Sequence, residues 1–194
     1  MYAKNLERDK RMHALRMAIE SNPEDGEAHM QLGFDLLQGN PSSVEERCEE
    51  LDIAVDHLGN AARLCPCDAR VHHFLAEALQ MRWGTQLANP SSQPLITEED
   101  EMARVAAALQ ETVRCELACV RVGCGSEEDL AVAWLRVATF HARRGRFAKA
   151  METIQEIGSM VGAGQIEEQH PTVSEAGSCY QYCRKQLASL ELKA

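Results

Sequence analysis

An all-α fold of about eight helices is what this sequence predicts, and three observations predict it. Apolar residues recur at three- and four-residue spacing along almost the whole chain, as in Leu6, Met12, Leu15, Ala18 and Ile19. No stretch alternates apolar and polar residues between hairpin turns, so no strand is expected. Helix starts and stops also punctuate the chain at regular intervals.

Taken in order, the first helix is expected over 4–21 and stops at Asn22-Pro23. The second, 27–38, ends before Gly39-Asn40-Pro41. The third, 44–64, starts after Ser43, whose hydroxyl has Glu46 three residues on, the spacing of a capping box. Pro66 separates it from the fourth, 69–84. A polar stretch from Thr85 to Pro94 follows, a linker between helices rather than between domains. The fifth, 97–122, opens with Thr97 and Asp100, and the sixth, 127–144, with Ser126 and Asp129. Gly123-Cys124-Gly125 divides those two. The seventh, 147–161, runs out in the Gly158 to Gly164 stretch, and the eighth is 172–192.

Composition narrows the function. The 194 residues are 45% hydrophobic and 26% charged, a balance that excludes disorder and predicts a single domain over 1–194. Lys+Arg 20 against Asp+Glu 30 gives a net charge of -10, the wrong sign for binding nucleic acid through its phosphates. Mean hydropathy is -0.33 and no apolar run is long enough to span a bilayer. The basic residues at the start are interrupted by Glu7 and Asp9 and lead into no apolar core, so no presequence is expected and the predicted location is cytoplasmic, with peripheral association to an organelle, cytoskeleton or mitochondrion left open. The 8 cysteines are then expected to be reduced and to pack as small hydrophobes. Cys115/Cys119 and Cys179/Cys183 are each four apart, on one helical face, which keeps a zinc or redox protein as an alternative. Cys65 and Cys67 are too close for a standard zinc knuckle.

The segment Trp134, Val137, Ala138, Gly145, Phe147, Ala150, Ile154 resembles a tetratricopeptide repeat (TPR). Trp134 falls at the aromatic site, Ala138 and Ala150 at the small sites, and Gly145-x-Phe147 at the turn between paired helices. An earlier copy is carried by Leu32-Gly33 and by Ala54, Leu58, Ala61 and Pro66, with extra residues at Asn40 to Ser43. A further copy begins at Ala69, with a long insertion around 85–96. The resemblance implies a right-handed α–α superhelix: a partial repeat over 4–23, repeats over 26–68, 69–125 and 126–164, and a capping helix over 171–194. Val173, Cys179, Tyr180, Cys183, Leu187 and Leu190 are its expected apolar stripe.

The family's first helices line a groove that captures a peptide or helix, so the resemblance implies a protein-binding scaffold or adaptor, a subunit of a larger assembly. Mapped on this sequence, the lining is Glu27, Met30, Phe34, Leu37 and Gln38 in the first repeat, Arg70, His73, Glu77, Gln80 and Met81 in the second, and Val132, Leu135, Thr139, Ala142 and Arg143 in the third. The carboxylate-clamp residues of chaperone-binding members are missing, since Met30 and Phe34, then Val132 and Arg136, stand at those positions. The long insertions loosely resemble the plant-type mitochondrial import receptor, which implies a second reading, a receptor for basic amphipathic targeting helices.

No phosphate loop, zinc-protease, serine-hydrolase or dinucleotide motif occurs, so no enzyme, catalytic residue, metal or cofactor is expected. His72 and His73 are consecutive and diverge on a helix, one toward the core and one toward the groove. Glu98 to Glu101 and Glu127 to Asp129 read as solvated first-turn acids that complement the helix dipole. Arg143-Arg144-x-Arg146 is a basic cluster at a hairpin turn, read by default as solvated surface, that an acidic partner or a tubulin-like surface could meet.

Overall fold

The computed structural model describes residues 2–88 and 97–191. Among them are eight helices and no strand: α1 Tyr2–Ser21, α2 Gly26–Leu37, α3 Val44–Leu64, α4 Ala69–Ala88, α5 Glu98–Arg121, α6 Glu127–Arg143, α7 Phe147–Gly162 and α8 Pro171–Glu191. The chain divides into two compact units, Met1–Ala108 and Leu109–Ala194, the boundary falling inside α5.

Local chemistry explains the ends. Ser43 caps α3 by accepting from the Glu46 N–H, Thr97 accepts from Asp100 N–H, and Ser126 accepts from both Glu128 and Asp129. Asp25 caps α2 by accepting from Ala28 N–H. Gly123, Gly145 and Gly164 adopt φ of 75°, 70° and 69° where helices α5, α6 and α7 end, the left-handed turn that L side chains resist. The helix expected over 69–84 runs on to Ala88, with Thr85 Oγ1 donating to Met81 O within the continuing turn. The rest of the expected 85–96 insertion, residues 89–96, lies outside the described residues.

In the first unit, α1 packs on α2, α2 on α3, α3 on α4, and α2 also reaches α4. The core is Leu32, Leu36, Leu51, Leu58 and Leu79, all at most 2% exposed, with Ala54 and Ala61 at 0%. Small residues set the separation here: a Cβ on Gly33 would lie 2.6 Å from Leu58 Cγ, so α2 and α3 are as close as glycine permits. Two buried acids hold elements together. Asp35 of α2 takes a two-pronged hydrogen bond from Arg11 of α1, 2.5 Å on each arm. Glu101 of α5, 1% exposed, takes Arg82 of α4 on its Oε1 and Arg104 on its Oε2 at 3.3 Å. The expectation of a solvated first-turn acid is therefore overturned at Glu101, because its face of α5 turns inward onto a buried guanidinium.

The second unit repeats the same pattern with α6, α7 and α8. Helix α6 packs on α7, α7 on α8, and α6 on α8. Ala131, Ala138, Ala150 and Cys183 are fully enclosed, and Phe147, Met151 and Cys179 cover the Ala142, Ala150 and Cys183 cluster. The buried stripe of α8 is Thr172, Ala176 and Cys183, whereas Leu190, expected in it, is 54% exposed. Leu190, seven residues past Cys183, keeps the spacing of that stripe but sits in the last turn of α8, where its exposure shows that no described neighbour covers it.

Candidate functional site

Two surfaces come from the same construction, the face shared by the first and third helices of a three-helix set. In the first unit that face lies between α2 and α4. Its centre is aromatic: the Phe34 and Phe74 rings lie 4.7 Å apart, tilted by 41°, and His73 lies 5.4 Å from Phe74. Around it, Arg70 reaches Glu27 at 3.3 Å and Asp68 at 2.6 Å, and His73 Nε2 lies 3.9 Å from Glu77. The hydrogen bond from Arg70 holds the Asp68 carboxyl below its ordinary range, and the carboxylate in turn raises the guanidinium. The Arg70 pairs are solvent-accessible and add little stability; they occupy each other's charge instead.

In the second unit the face lies between α6 and α8 and opens into a cleft of about 250 Å³, lined by Thr139, Ala142, Arg143, Cys179 and Tyr182. Its walls are chiefly apolar, since the Thr139 hydroxyl is used in donating to Arg136 O. Tyr182 stands edge-on to Phe147, centroids 6.0 Å apart. Below the cleft, burial, then Cys179, pushes the Cys183 thiol up to about 11, so it stays protonated at neutral pH and packs as a hydrophobe.

Of the sequence-predicted lining, the structure brings Phe34, Arg70, His73 and Glu77 together on the first surface and Thr139 and Arg143 on the second. Met81 is half-buried on α4. Met30, Leu37 and Leu135 are not available to a partner: they are 4%, 3% and 7% exposed. Nine of the twelve residues of α2 are buried, because α1, α3 and α4 enclose it. The structural residues Gly33, Ala54, Ala61, Ala138 and Ala150 are buried as close-contact positions, Gly145 turns between α6 and α7, and Phe147 is half-buried. Trp134 is half-buried, and Pro66 is exposed with its carbonyl 3.1 Å from His72 Nε2. His72 is buried and His73 half-exposed, the divergence consecutive helical positions require. Repeat register does not point to Phe74, Cys179 or Tyr182 as lining; Cys179 and Tyr182 share a helical face with an i,i+3 spacing that the eighth helix shows in its sequence.

No protein-family model matches the chain, and no curated protein matches it in sequence. Solved structures do match. A crystal structure of MamA, a TPR-like protein, aligns over 99% of this chain and 95% of its own with a TM-score of 0.56 at 15% identity. A second MamA crystal structure aligns over 95% and 85% with a TM-score of 0.55, again at 15% identity. A human IFIT1 dimer with PPP-AAAA aligns over 96% of this chain but 46% of its own, at a TM-score of 0.39. The fold is therefore a TPR-like helical repeat. Among the described residues no helix is long and apolar enough to cross a membrane.

Proposed function

We propose that the chain is a non-enzymatic protein-interaction scaffold, a subunit of a larger cytoplasmic assembly, that binds a peptide or amphipathic helix on the faces shared by successive first helices. In this reading its repeats run over 26–68, 69–125 and 126–164, preceded by a partial repeat and closed by the last helix. The observation that carries it is the α2/α4 face, where Phe34 remains 36% exposed while its ring packs on Phe74. An aromatic pair held at a surface costs solvation that a bound apolar side chain recovers.

A second reading, reception of a basic amphipathic targeting helix, is favoured by one fact. The first unit carries 10 Lys+Arg against 19 Asp+Glu. Affinity capture with the intact chain, beside its Phe34→Glu variant, tests the proposal. Helicity should be unchanged, since Phe34 is at the surface, and a stoichiometric set of proteins held by the wild type should be lost. Undiminished capture of the same set by the folded variant would remove this face from the function. Partners that are uniformly basic helices would select the second reading.

A further inference from the structure

The α6/α8 cleft differs from the α2/α4 face in its charge. Among the described residues Arg143, Arg146, Lys149, Arg184 and Lys185 make no ion pair, while Arg114 pairs with Glu111 elsewhere in the unit. A cation in the last turn of α6 complements the helix dipole, which accounts for Arg143 alone. It does not account for Arg146, beyond the helix, or for Lys185, one turn past Tyr182 on α8. Exposed cations without an ion pair among the described residues also occur at Lys10, Arg16 and Arg63; what sets this region apart, in a chain with net charge -10, is that they gather beside one apolar cleft, a local basicity that fits an acidic partner. Glu175, one turn before Cys179, is the acid on the cleft side of α8, so the positive charge is concentrated at the Arg143 end.

The volume sets the other half of the recognition. About 250 Å³ lies below the roughly 300–1,000 Å³ of sites that enclose a small molecule, and suits one large apolar side chain. Ala142, Cys179 and the ring of Tyr182 provide the apolar walls, and Arg143 stands among them.

We propose that this cleft docks an acidic peptide segment of a partner protein, seating one large apolar side chain between Ala142, Cys179 and Tyr182 and placing adjacent carboxylates on Arg143 and Lys185. This rests on the scaffold reading and gives its second surface a partner chemistry. Charge complementarity commits the occupant: a basic targeting helix would face Arg143, Arg146 and Lys185 with no carboxylate to offset them.

The test uses the full chain and three synthetic fluorescent peptides, measured by anisotropy at low and moderate salt. The first has a central Phe flanked by Glu and Asp, the second replaces the acids with Lys, and the third replaces the Phe with Ala. The acidic Phe peptide should bind and the other two should bind at least several-fold more weakly. Arg143→Glu should weaken the first by on the order of tenfold, and Arg143→Lys should retain most of the binding. Arg143 is exposed, so both variants should keep wild-type helicity. Binding unaffected by Arg143→Glu, equal binding of the Lys peptide, or a concentration-dependent dimer that Arg143→Glu abolishes would each overturn the proposal, the last by giving the cleft to a second copy. Phe34→Glu should not alter this binding. Partner capture that is lost with Phe34→Glu but untouched by Arg143→Glu, with no peptide bound, would leave the scaffold reading standing and remove the cleft.

Discussion

Helices α2, α3 and α4 and helices α6, α7 and α8 are the same three-helix arrangement made with different surface chemistry. In both, the first helix packs on the second, the second on the third, and the first also meets the third. On α2 and α4 the two cations, Arg70 and Arg82, each meet a carboxylate. Around α6 and α8, Arg143, Arg146 and Lys185 meet none among the described residues. A shared backbone plan thus leaves one face electrostatically closed and the other open, and this separates what charges do for stability from what they do for binding.

The contrast is sharpest between Glu101 and Arg143. Glu101 is fully enclosed against Arg82, itself only 9% exposed. Glu101→Ala would leave the buried Arg82 guanidinium with only the largely exposed Asp52, 3.5 Å away, as a carboxylate partner, and should cost about 3 kcal/mol. Arg143→Ala removes an exposed side chain that makes no ion pair among the described residues, and should change stability by less than about 0.5 kcal/mol. Urea unfolding of the two variants checks this, read as a shift in midpoint at constant slope. Comparable losses would show that the cations of the second unit are also structural and break the comparison.

Glycine positions sharpen it at the next level of energy. Gly33 faces Leu58 across the α2/α3 contact, where an added Cβ would stand 2.6 Å from Leu58 Cγ. Gly33→Val should cost about 1–3 kcal/mol through overpacking. Gly158, inside α7, has open space at the corresponding atom, so Gly158→Ala should stabilise by about 0.5–1 kcal/mol. Opposite signs are the expected result in thermal melts of the two variants. A stabilising Gly33→Val would mean that α2 and α3 are not at their closest approach.

Much of this architecture is legible locally. Ser43, Thr97 and Ser126 identify their helices because a cap hydroxyl and its N–H partner are within three residues, and Ala138, Gly145 and Ala150 identify a hairpin because close helix contacts admit only small side chains. What the sequence conceals is which neighbour covers a given face. Met30 and Leu37 fall at lining positions by register, yet α2 is surrounded, and nothing within one turn of either signals α1 or α4. Glu101 reads as dipole compensation like Glu98 to Asp100 because its partner Arg82 is 19 residues away. The second surface is half legible: repeat register finds Thr139, Ala142 and Arg143, while Cys179 and Tyr182 become lining only when α8 packs on α6.

The smallest expected effect separates the two units by proton binding. In the first, His29 Nε2 lies 3.2 Å from Pro23 O, which can only accept, so the neutral tautomer that donates there accepts at Nδ1 a hydrogen bond from the His57 Nδ1–H at 2.9 Å. Burial, then His29, holds His57 below its ordinary 6.5, with Asp56 partly opposing. In the second, His141 is 2% exposed with no hydrogen-bond partner for Nδ1 among the described residues, and burial, then Lys149 and Arg146, lowers it too. Each folded-state value lies below the unfolded one, so the unfolded chain takes up protons first. Stability is full above about 6.5 and declines as pH falls from there toward the lowered folded values. His141→Gln should flatten that decline for the second unit, and His57→Gln for the first, in denaturant midpoints compared at neutral and mildly acid pH. A decline that persists unchanged in His141→Gln would mean that neither burial nor the cations around it hold the His141 imidazole below its ordinary range in the folded chain.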